Sequence, residues 1–353
     1  MMNKLLQILT SKVLIFTLVI ITGLFVLNLC KNIFLHTTTY LYANYSYHYD
    51  NDKYTDQMVE FNTKDLPVSI SQESFLNVKS AIDNNELDGI SLVVIKNHKA
   101  KFISPNNSEA IKFKLENILN FLKRTQAIKL INNTVFAIKP GDYITDQEFE
   151  RFVNNEKFGN VPIVGFAADT DLIQKYPGRV LLIPDDYTLG NGNKKGYWRG
   201  WKIFAQEVDS SRSLYPWDQK INKIFWRGKL ADCSYPHCEN SGRLKLVQLG
   251  EKYDFIDAKF ASLIASDKKL YTDWGLGHVF VEFTNPTEQN KYKYPIVTDG
   301  VSVTAPGYLY RLYSGSVTLK QETTHIQWFY SQLRPYIHYV PVKKDMSDIK
   351  EVY

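Results

Sequence analysis

The feature that most constrains the fold is the alternation of short apolar runs with amphipathic helical patterns between residues 90 and 320. Residues 90–95 are rich in the β-branched side chains that favour strands. Ile111, Leu115, Ile118 and Leu122 recur at the spacing of one helical face, after a start signal at Ser108. Strands separated by helices are typical of βαβ units, so we expect an α/β fold with mainly parallel sheets. The further apolar runs are residues 135–138, 161–166, 180–183, 223–226, 279–283 and 316–319.

Length, composition and net charge indicate a globular protein of two domains. The chain has 353 residues, which at about 150 residues per domain indicates two domains. A composition of 44% hydrophobic and 22% charged residues excludes general disorder, collagen and coiled coil. The net charge of +5, from 42 basic and 37 acidic residues, is too small for a general nucleic-acid binder.

The N-terminal part has the composition of a membrane anchor. Residues 13–30 carry no charge, and their number is at the lower limit for crossing about 30 Å of hydrocarbon. Lys4 and Lys12 precede this segment and only Lys31 follows closely, which favours a cytoplasmic N-terminus. We therefore expect a single-pass signal anchor with the body on the exoplasmic side, in the ER or Golgi lumen or the periplasm. A cleaved signal peptide and a body on the cytoplasmic face remain alternatives.

The three cysteines, Cys30, Cys233 and Cys238, cannot form a disulfide framework. Cys233 and Cys238 could form one local bridge in an oxidising compartment. Alternatively, with His237 they could contribute to a metal site, which would need a fourth ligand.

Asp142 is a candidate general base. Parallel α/β sheets bind ligands at the carboxyl ends of their strands, and Asp142 follows the apolar run 135–138 on a Pro-Gly turn. A carboxylate held at such an edge suits proton abstraction. The alternative is that Asp142 only stabilises the turn or the helix that the capping box Thr145–Glu148 opens.

Residues 191–229 form a basic, aromatic segment. Nine Lys or Arg residues and three acids give it a local charge of +6, and four of the six tryptophans lie here. Cations beside aromatic rings suit a ligand with a phosphate and a sugar or flat ring. A solvated basic face over an aromatic core would have the same composition.

Three turns complete the candidate site. The predicted strand ending at Trp226 runs into Arg227, Gly228 and Lys229, and a predicted helix begins at Arg243. Arginine side chains and helix N-terminal amides together could clamp a diphosphate. The other two turns are Asp299-Gly300 and Ser314-Gly315-Ser316. Their small residues would let the backbone approach a ligand closely. Such turns are also common in ordinary loops.

A chain of blocks in the C-terminal half resembles glycosyltransferase family 90, which includes Rumi-type protein O-glucosyltransferases, fungal capsule xylosyltransferases and bacterial lipopolysaccharide glycosyltransferases. In order, the blocks are residues 225–228 (FWRG), 243–247 (RLKLV), 291–294 (KYKY), 299–300 (DG), 314–320 (SGSVTLK), 327–330 (QWFY), 333–336 (LRPY) and 338–342 (HYVPV).

The resemblance implies a GT-B arrangement of two Rossmann-like domains with a cleft between them, here residues 61–200 and 201–353, after a tail (1–12), an anchor (13–30) and a stem (31–60). It implies inverting transfer from a UDP-sugar, with glucose or xylose expected, to a hydroxyl of a glycan, lipopolysaccharide or protein, without a metal or other cofactor. Asp142 matches the family's catalytic base, and Arg243 its arginine on the donor diphosphate. The other matches in the donor blocks are Arg227, Gly228, Asp299, Gly300, Ser314, Gly315 and Ser316. Lys229 directly follows the block 225–228 and is a further candidate donor-site residue.

Two departures from the family pattern leave room for other functions. Gly307 stands where the family usually has an arginine that meets the donor phosphates, and Arg311 could substitute for it one helical turn later. The family also usually continues with a further helical segment beyond the position of Tyr353. An alternative is therefore a nucleotide-sugar or glycan-binding module without turnover. A glycoside hydrolase would need a second acid about 5–10 Å from Asp142, for which Asp169 and Asp171 are the nearest in sequence.

Overall fold

The computed structural model describes residues 71–353 except 88, 105–107, 125–133, 143, 145, 191–199 and 305. The predicted tail, anchor (13–30) and stem lie outside the described residues. None of the helices in the described part of the chain combines the length with the apolar composition of a membrane span. The chain divides into two compact units: the first ends at Trp201 and also includes Ile326–Gln332, and the second comprises Lys202–His325 and Leu333–Tyr353.

The first unit is built on a five-stranded sheet in the order β2-β1-β3-β4-β6. The strands of this sheet are β1 (Ser91–Lys96), β2 (Lys99–Ile103), β3 (Thr134–Ile138), β4 (Ile163–Gly165) and β6 (Val180–Leu182). The first unit also contains β5 (Ala167–Asp169), which lies outside this sheet. Its helices are α1 (Gln72–Asp83), α2 (Glu109–Arg124), α3 (Asp146–Val153), α4 (Thr170–Lys175) and α5 (Asp186–Leu189).

This sheet is mixed, because β1 is antiparallel to both β2 and β3 while β3, β4 and β6 are parallel. The expectation of mainly parallel sheets is therefore wrong for β1 and β2. The reason is local. Asn97 and His98 form a two-residue turn with φ angles of 50° and 57°, and such a turn can only join antiparallel strands.

Helix α2 forms as its spacing predicts. Leu115, Ile118 and Leu122 are 0–1% exposed and lie on one face. Burying each such side chain contributes about 1.5–3 kcal/mol, which is why the amphipathic pattern fixes the orientation of the helix. The opposite face carries exposed Glu116 and Asn120.

The second unit has a six-stranded sheet in the order β13-β11-β10-β7-β8-β9. Every pair of neighbouring strands in it is parallel. Its strands are β7 (Ile221–Gly228), β8 (Ile256–Ser262), β9 (Phe280–Glu282), β10 (Tyr292–Val297), β11 (Leu319–Gln321) and β13 (Val340–Val342). Its helices are α6 (Trp201–Leu214), whose first residue belongs to the first unit, α7 (Gly242–Lys252), α8 (Asp267–Asp273) and α9 (Gly307–Tyr313).

The core of the second unit lies under the alternating side chains of β7. Ile224 and Trp226 are buried with Leu246 and Val247 of α7, whereas Arg227 lies on the other face of the strand. Because the strands are parallel, the loops after β7, β8, β10 and β11 all leave the same side of the sheet, called the carboxyl edge below.

The returning segment Ile326–Gln332 completes the first unit. Ile326 and Gln327 belong to strand β12 (His325–Gln327), which pairs with β5. The side chain of Gln327 is 2% exposed and donates a hydrogen bond to Asp185 Oδ2 at 3.1 Å. The predicted boundaries 61–200 and 201–353 do not include this return.

Candidate active site

Arg243 is held at the carboxyl edge of the second unit. It lies in the first turn of α7, whose N-cap Ser241 accepts the Leu244 N–H at Oγ. Its guanidinium Nε donates to the backbone oxygen of Asp299 at 2.9 Å, Nη1 to that of Lys229 at 2.7 Å and Nη2 to that of Thr298 at 3.5 Å. Three of the five N–H donors thus fix the guanidinium against the loops that follow β7 and β10.

The guanidinium of Arg243 stays protonated despite its burial. Burial lowers the pKa of the guanidinium, and the carboxylates of Asp232 and Asp299 raise it. Because the ordinary pKa of an arginine lies far above neutral, the group stays a cation at neutral pH. Its centre lies 5.7 Å from the ring of Trp226, at cation–π distance.

Asp299 ties the loop after β10 to β11. Its Oδ1 lies 3.1 Å from Lys320 Nζ, and its Oδ2 lies 3.5 Å from His325 Nδ1, an ion-pair distance. Burial raises the pKa of Asp299, but the interaction with His325 and the charge of Lys320 outweigh burial, so the pKa is lowered. Burial lowers the pKa of Lys320. The carboxylate therefore holds the loop while its backbone oxygen holds Arg243.

Arg227 and Lys229 are engaged in ion pairs. Arg227 Nη2 donates to Asp257 Oδ1 at 2.6 Å and Nη1 to the backbone oxygen of Asp257 at 2.8 Å, so its guanidinium joins β7 to β8. Lys229 Nζ lies 2.8 Å from Asp267 Oδ2. Gly228 lies against Trp226, whose Cζ2 would be 2.7 Å from an added Cβ. A donor role for Arg227 or Lys229 would require exchange of these partners and stays a prediction.

The Ser314–Ser316 turn lies at the other end of the sheet. Ser316 Oγ donates to the backbone oxygen of Tyr292 at 2.8 Å, and Tyr292 is the first residue of β10. Ser314 Oγ donates to the backbone oxygen of Arg311 at 2.6 Å, and Gly315 has a φ of 69°, which suits glycine. The structure brings Gly228, Lys229, Arg243, Asp299 and Gly300 together but not this turn, whose donor role stays a prediction.

Arg311 folds back over the start of its own helix, α9. Its Nη1 donates to the backbone oxygen of Gly307 at 3.0 Å, and a Cβ on Gly307 would lie 2.6 Å from that nitrogen. The residue is 5% exposed. The guanidinium of Arg311 therefore occupies the space beside position 307, and its predicted contact with the donor stays a prediction.

The basic, aromatic segment does not form one patch in its described part. Trp217 and Lys220 precede β7, whereas Arg227 and Lys229 lie at its carboxyl end. Lys220 Nζ donates to the backbone oxygen of Asn290, and burial, with a contribution from the charge of Arg212, lowers its pKa to about 8. Residues 191–199 lie outside the described part.

In the first unit, Asp142 follows β3 as expected. Its side chain is 67% exposed, and Oδ1 lies 2.5 Å from Nζ of Lys114 in α2, a lysine that is 12% exposed. The backbone N–H of Lys139 donates to Val164 at 2.8 Å, which fixes the start of the turn on β4. Thr145 of the predicted capping box lies outside the described residues.

Asp185 belongs to the same sheet edge, and the sequence analysis missed it. It follows β6, which is parallel to β4 and β3, and is 2% exposed. Its Oδ1 accepts the Thr188 N–H at 2.8 Å. Burial raises the pKa of Asp185, while its hydrogen bonds and the charge of Lys114 lower it in part. The signal was available, because Asp185 follows an apolar run just as Asp142 does.

The structure also bears on two alternatives from the sequence: a metal site at Cys233 and Cys238, and Asp169 as a second catalytic acid. Cys233 and Cys238 form a disulfide. Among the described residues, no group of three or more His, Cys, Asp and Glu side chains could hold a metal ion. Asp169 caps α4 by accepting the Asp171 N–H at 2.8 Å, so its carboxylate has a structural task.

An arginine fixed at the carboxyl edge of a parallel α/β sheet is typical of proteins that bind phosphorylated ligands. The sequence model of the family described as Glycosyl transferase family 90 matches residues 154–353. The chain therefore belongs to glycosyltransferase family 90. Asp142 precedes the matched region, which contains all the second-unit residues discussed above.

Curated relatives of this chain include protein O-glucosyltransferases. Protein O-glucosyltransferase 2 of Danio rerio is 33% identical over 138 residues, covering 38% of this chain and 25% of that protein. Protein O-glucosyltransferase 3 of Rattus norvegicus is 34% identical over 139 residues, 38% of this chain and 24% of the relative. Protein O-glucosyltransferase 1 of Homo sapiens is 26% identical over 153 residues, 43% and 36% respectively. The match thus spans only about a quarter to a third of each relative.

Proposed function

We propose that this glycosyltransferase moves glucose from UDP-glucose to a hydroxyl group of a protein, with inversion at the anomeric carbon and without a metal ion. The observation that carries the proposal is the guanidinium of Arg243, which three backbone carbonyl oxygens fix at the carboxyl edge of a parallel sheet. Family membership supports the reaction class, and the names of the relatives support glucose and a protein acceptor.

In this proposal the donor binds to the second unit. Arg243 faces the diphosphate and stabilises the negative charge that grows on departing UDP. A cation that is already fixed needs no reorganisation during the reaction, which is the main source of such stabilisation. The guanidinium can also donate two parallel hydrogen bonds to phosphate oxygens. A side chain of this kind can take the place of a metal ion.

The acceptor binds to the first unit, as in a GT-B enzyme. Asp142 takes the proton from the acceptor hydroxyl while the oxygen forms a bond to the anomeric carbon and the bond to the diphosphate breaks. Attack from the face opposite UDP inverts the configuration. General-base catalysis of this kind contributes about 10²–10⁴-fold. Lys114, 2.5 Å from Oδ1, holds the carboxylate in one orientation.

The anchor and the compartment are part of the same proposal. Residues 13–30 span the bilayer and the catalytic body lies in an oxidising compartment, the ER or Golgi lumen or the periplasm. The Cys233–Cys238 disulfide supports this placement, because disulfides rarely persist in the cytosol.

The competing function is a binding module that holds a nucleotide sugar without turnover. It is favoured by Gly307, beside which Arg311 is turned onto its own helix. Two measurements distinguish the functions. One is mass spectrometry of the products after incubation with UDP-glucose or UDP-xylose and protein, glycan or lipopolysaccharide acceptors, with and without EDTA. The other is calorimetric titration with UDP. Hexose transfer to protein in the presence of EDTA supports our proposal. UDP binding without transfer supports the module, and absence of UDP binding contradicts both.

A further inference from the structure

The loop between β7 and α7 contains a carboxylate to which the proposed reaction gives no role. Asp232 accepts the Ser241 hydroxyl at Oδ1, at 2.8 Å, and the backbone N–H of Arg243 at Oδ2, at 3.1 Å. Ser241 is also the N-cap of α7 and accepts the Leu244 N–H at 2.9 Å. Asp232 therefore fixes both the cap and the first turn of the helix from which the Arg243 side chain extends.

The disulfide closes the loop directly after Asp232. Cys233 is bonded to Cys238, and the backbone oxygen of Cys238 accepts the Ser241 N–H at 3.0 Å. Inside the bridge, Tyr235 stacks on Trp274 with ring centroids 4.9 Å apart and donates its hydroxyl to the Trp274 backbone oxygen at 2.8 Å. The loop is thus fixed at its covalent closure, at the helix N-cap and at Trp274.

The charge of Asp232 opposes binding of an anion at this edge. The carboxylate interacts electrostatically with the Arg243 guanidinium, and by Coulomb's law it repels a diphosphate placed there. The same carboxylate accepts one hydrogen bond from the N-cap of α7 and one from its first turn, and charged acceptors form strong hydrogen bonds. Removing the charge of Asp232 should therefore strengthen diphosphate binding if repulsion dominates, and weaken it if the positioning of Arg243 dominates.

We propose that Asp232 is a positioning residue for Arg243, held in place by the Cys233–Cys238 disulfide, and that reduction of this disulfide weakens donor binding. This inference rests on the proposed role of Arg243 as the ligand of the donor diphosphate. Dithiothreitol supplies the two electrons and two protons that convert the disulfide to two thiols, and is itself oxidised to its cyclic disulfide. The loop then loses its covalent closure, and Asp232 its fixed position.

Calorimetric titration with UDP tests the proposal. Asp232→Asn keeps the size of the side chain but replaces one oxygen with a donor, so we expect Kd to rise about 5- to 10-fold. Glu239→Gln is the matched control, because it removes the same charge from an exposed position in the same loop. We expect it to leave Kd unchanged or slightly lower. An equal or lower Kd in Asp232→Asn would show that repulsion dominates and would overturn the proposal.

Reduction is tested on the same protein. Dithiothreitol should raise the Kd of wild type severalfold and have no effect on Cys233→Ala/Cys238→Ala, which should already bind weakly. An unchanged Kd on reduction of wild type would contradict the role of the disulfide. Ser241→Ala, which retains the Asp232 charge, should also weaken binding and covers the case in which Asp232→Asn fails to fold.

Hydrogen exchange separates this inference from the proposed function. Asp232→Asn and reduction should each speed exchange of the Arg243 and Leu244 amides, and Glu239→Gln should not. Faster exchange together with absence of UDP binding in wild type would mean that Asp232 positions Arg243 but that the donor-site role is wrong. Unchanged exchange would overturn the positioning role itself.

Discussion

Gly300 lies directly against the guanidinium group of Arg243: a Cβ on Gly300 would stand 2.8 Å from Nη2. This contact requires a residue without a side chain in the loop after β10. Arg243 in turn donates to the backbone oxygens of the two residues before Gly300. The loop and the arginine therefore determine each other's position.

Gly300→Ala should displace the guanidinium and raise the Kd for UDP about 10-fold, since a hydrogen bond to a charged group is worth about 1.5–3 kcal/mol. Titration calorimetry measures the change. In an Arg243→Ala background the same substitution should have no further effect, because contacting residues couple in a double-mutant cycle. Additive effects would mean that Gly300 acts independently of Arg243.

Arg243→Lys should raise the Kd for UDP about 10- to 100-fold. Lysine keeps the charge but cannot donate to three carbonyls and a diphosphate from one planar group. Lys252→Ala is the control, because Lys252 lies in the last turn of the same helix, over Tyr253, and should leave Kd unchanged. An unchanged Kd in Arg243→Lys would contradict the role of the planar guanidinium, and an equal loss in Lys252→Ala would show that the loss is not specific to position 243.

Lys114→Met should lower the kcat of glucose transfer about 10-fold, with the Kd for UDP unchanged, because Lys114 orients the Asp142 carboxylate and misplaced catalytic groups lose rate. Lys114→Arg, which retains the ion pair, should recover part of the rate. Steady-state kinetics with both variants measures this, and an unchanged kcat in Lys114→Met would contradict the orienting role.

Asp185→Asn should change how stability depends on pH. Burial raises the pKa of Asp185 in the folded protein above its unfolded value, which is about 3.9. Its contribution to stability is therefore present below pH 4 and is lost as the pH rises through the folded pKa. Asparagine does not titrate. Urea unfolding from pH 4 to 7 should show wild type losing stability relative to Asp185→Asn, and a constant difference would contradict the burial of a titrating carboxyl.

The parts of the fold that sequence predicted are those with regular apolar spacing. Helix α2 and strands β1, β3 and β7 lie where their patterns indicated. Strand β8 was missed because only continuous apolar runs were considered, although Ile256, Ala258 and Phe260 alternate with polar residues at the period of two that indicates a strand. Its Asp257 is paired with Arg227 of the neighbouring strand, a partner that only the sheet order reveals.

Strand β10 was missed for a different reason. It contains Pro295 yet lies between β7 and β11, and proline argues against an interior strand because it cannot donate a ladder hydrogen bond. The pairing with β7 is irregular between Tyr292 and Tyr294, close to the proline.

Part of the candidate site follows from one rule, that ligands bind at the carboxyl ends of parallel strands. Asp142 and the loop after β7 follow predicted strands, and so does Asp185. The Asp299-Gly300 loop follows β10, which was not predicted, and only its small-residue turn marked it. The rule could not tell which cations are already paired, because the partners of Arg227 and Lys229, Asp257 and Asp267, lie 30 and more residues away. The rule does not apply to Ser314–Ser316, because this turn precedes the apolar run 316–319 and strand β11, which begins at Leu319, and so lies at the amino end of that strand.

The most direct test of the account compares Asp142→Asn with wild type in glucose transfer from UDP-glucose to protein, with UDP titration of both. Asparagine has the shape of the carboxylate but cannot take the acceptor's proton. We expect the transfer rate to fall about 10²–10⁴-fold with the Kd for UDP unchanged. Transfer at the full rate by Asp142→Asn would contradict the assignment of the base and the mechanism built on it.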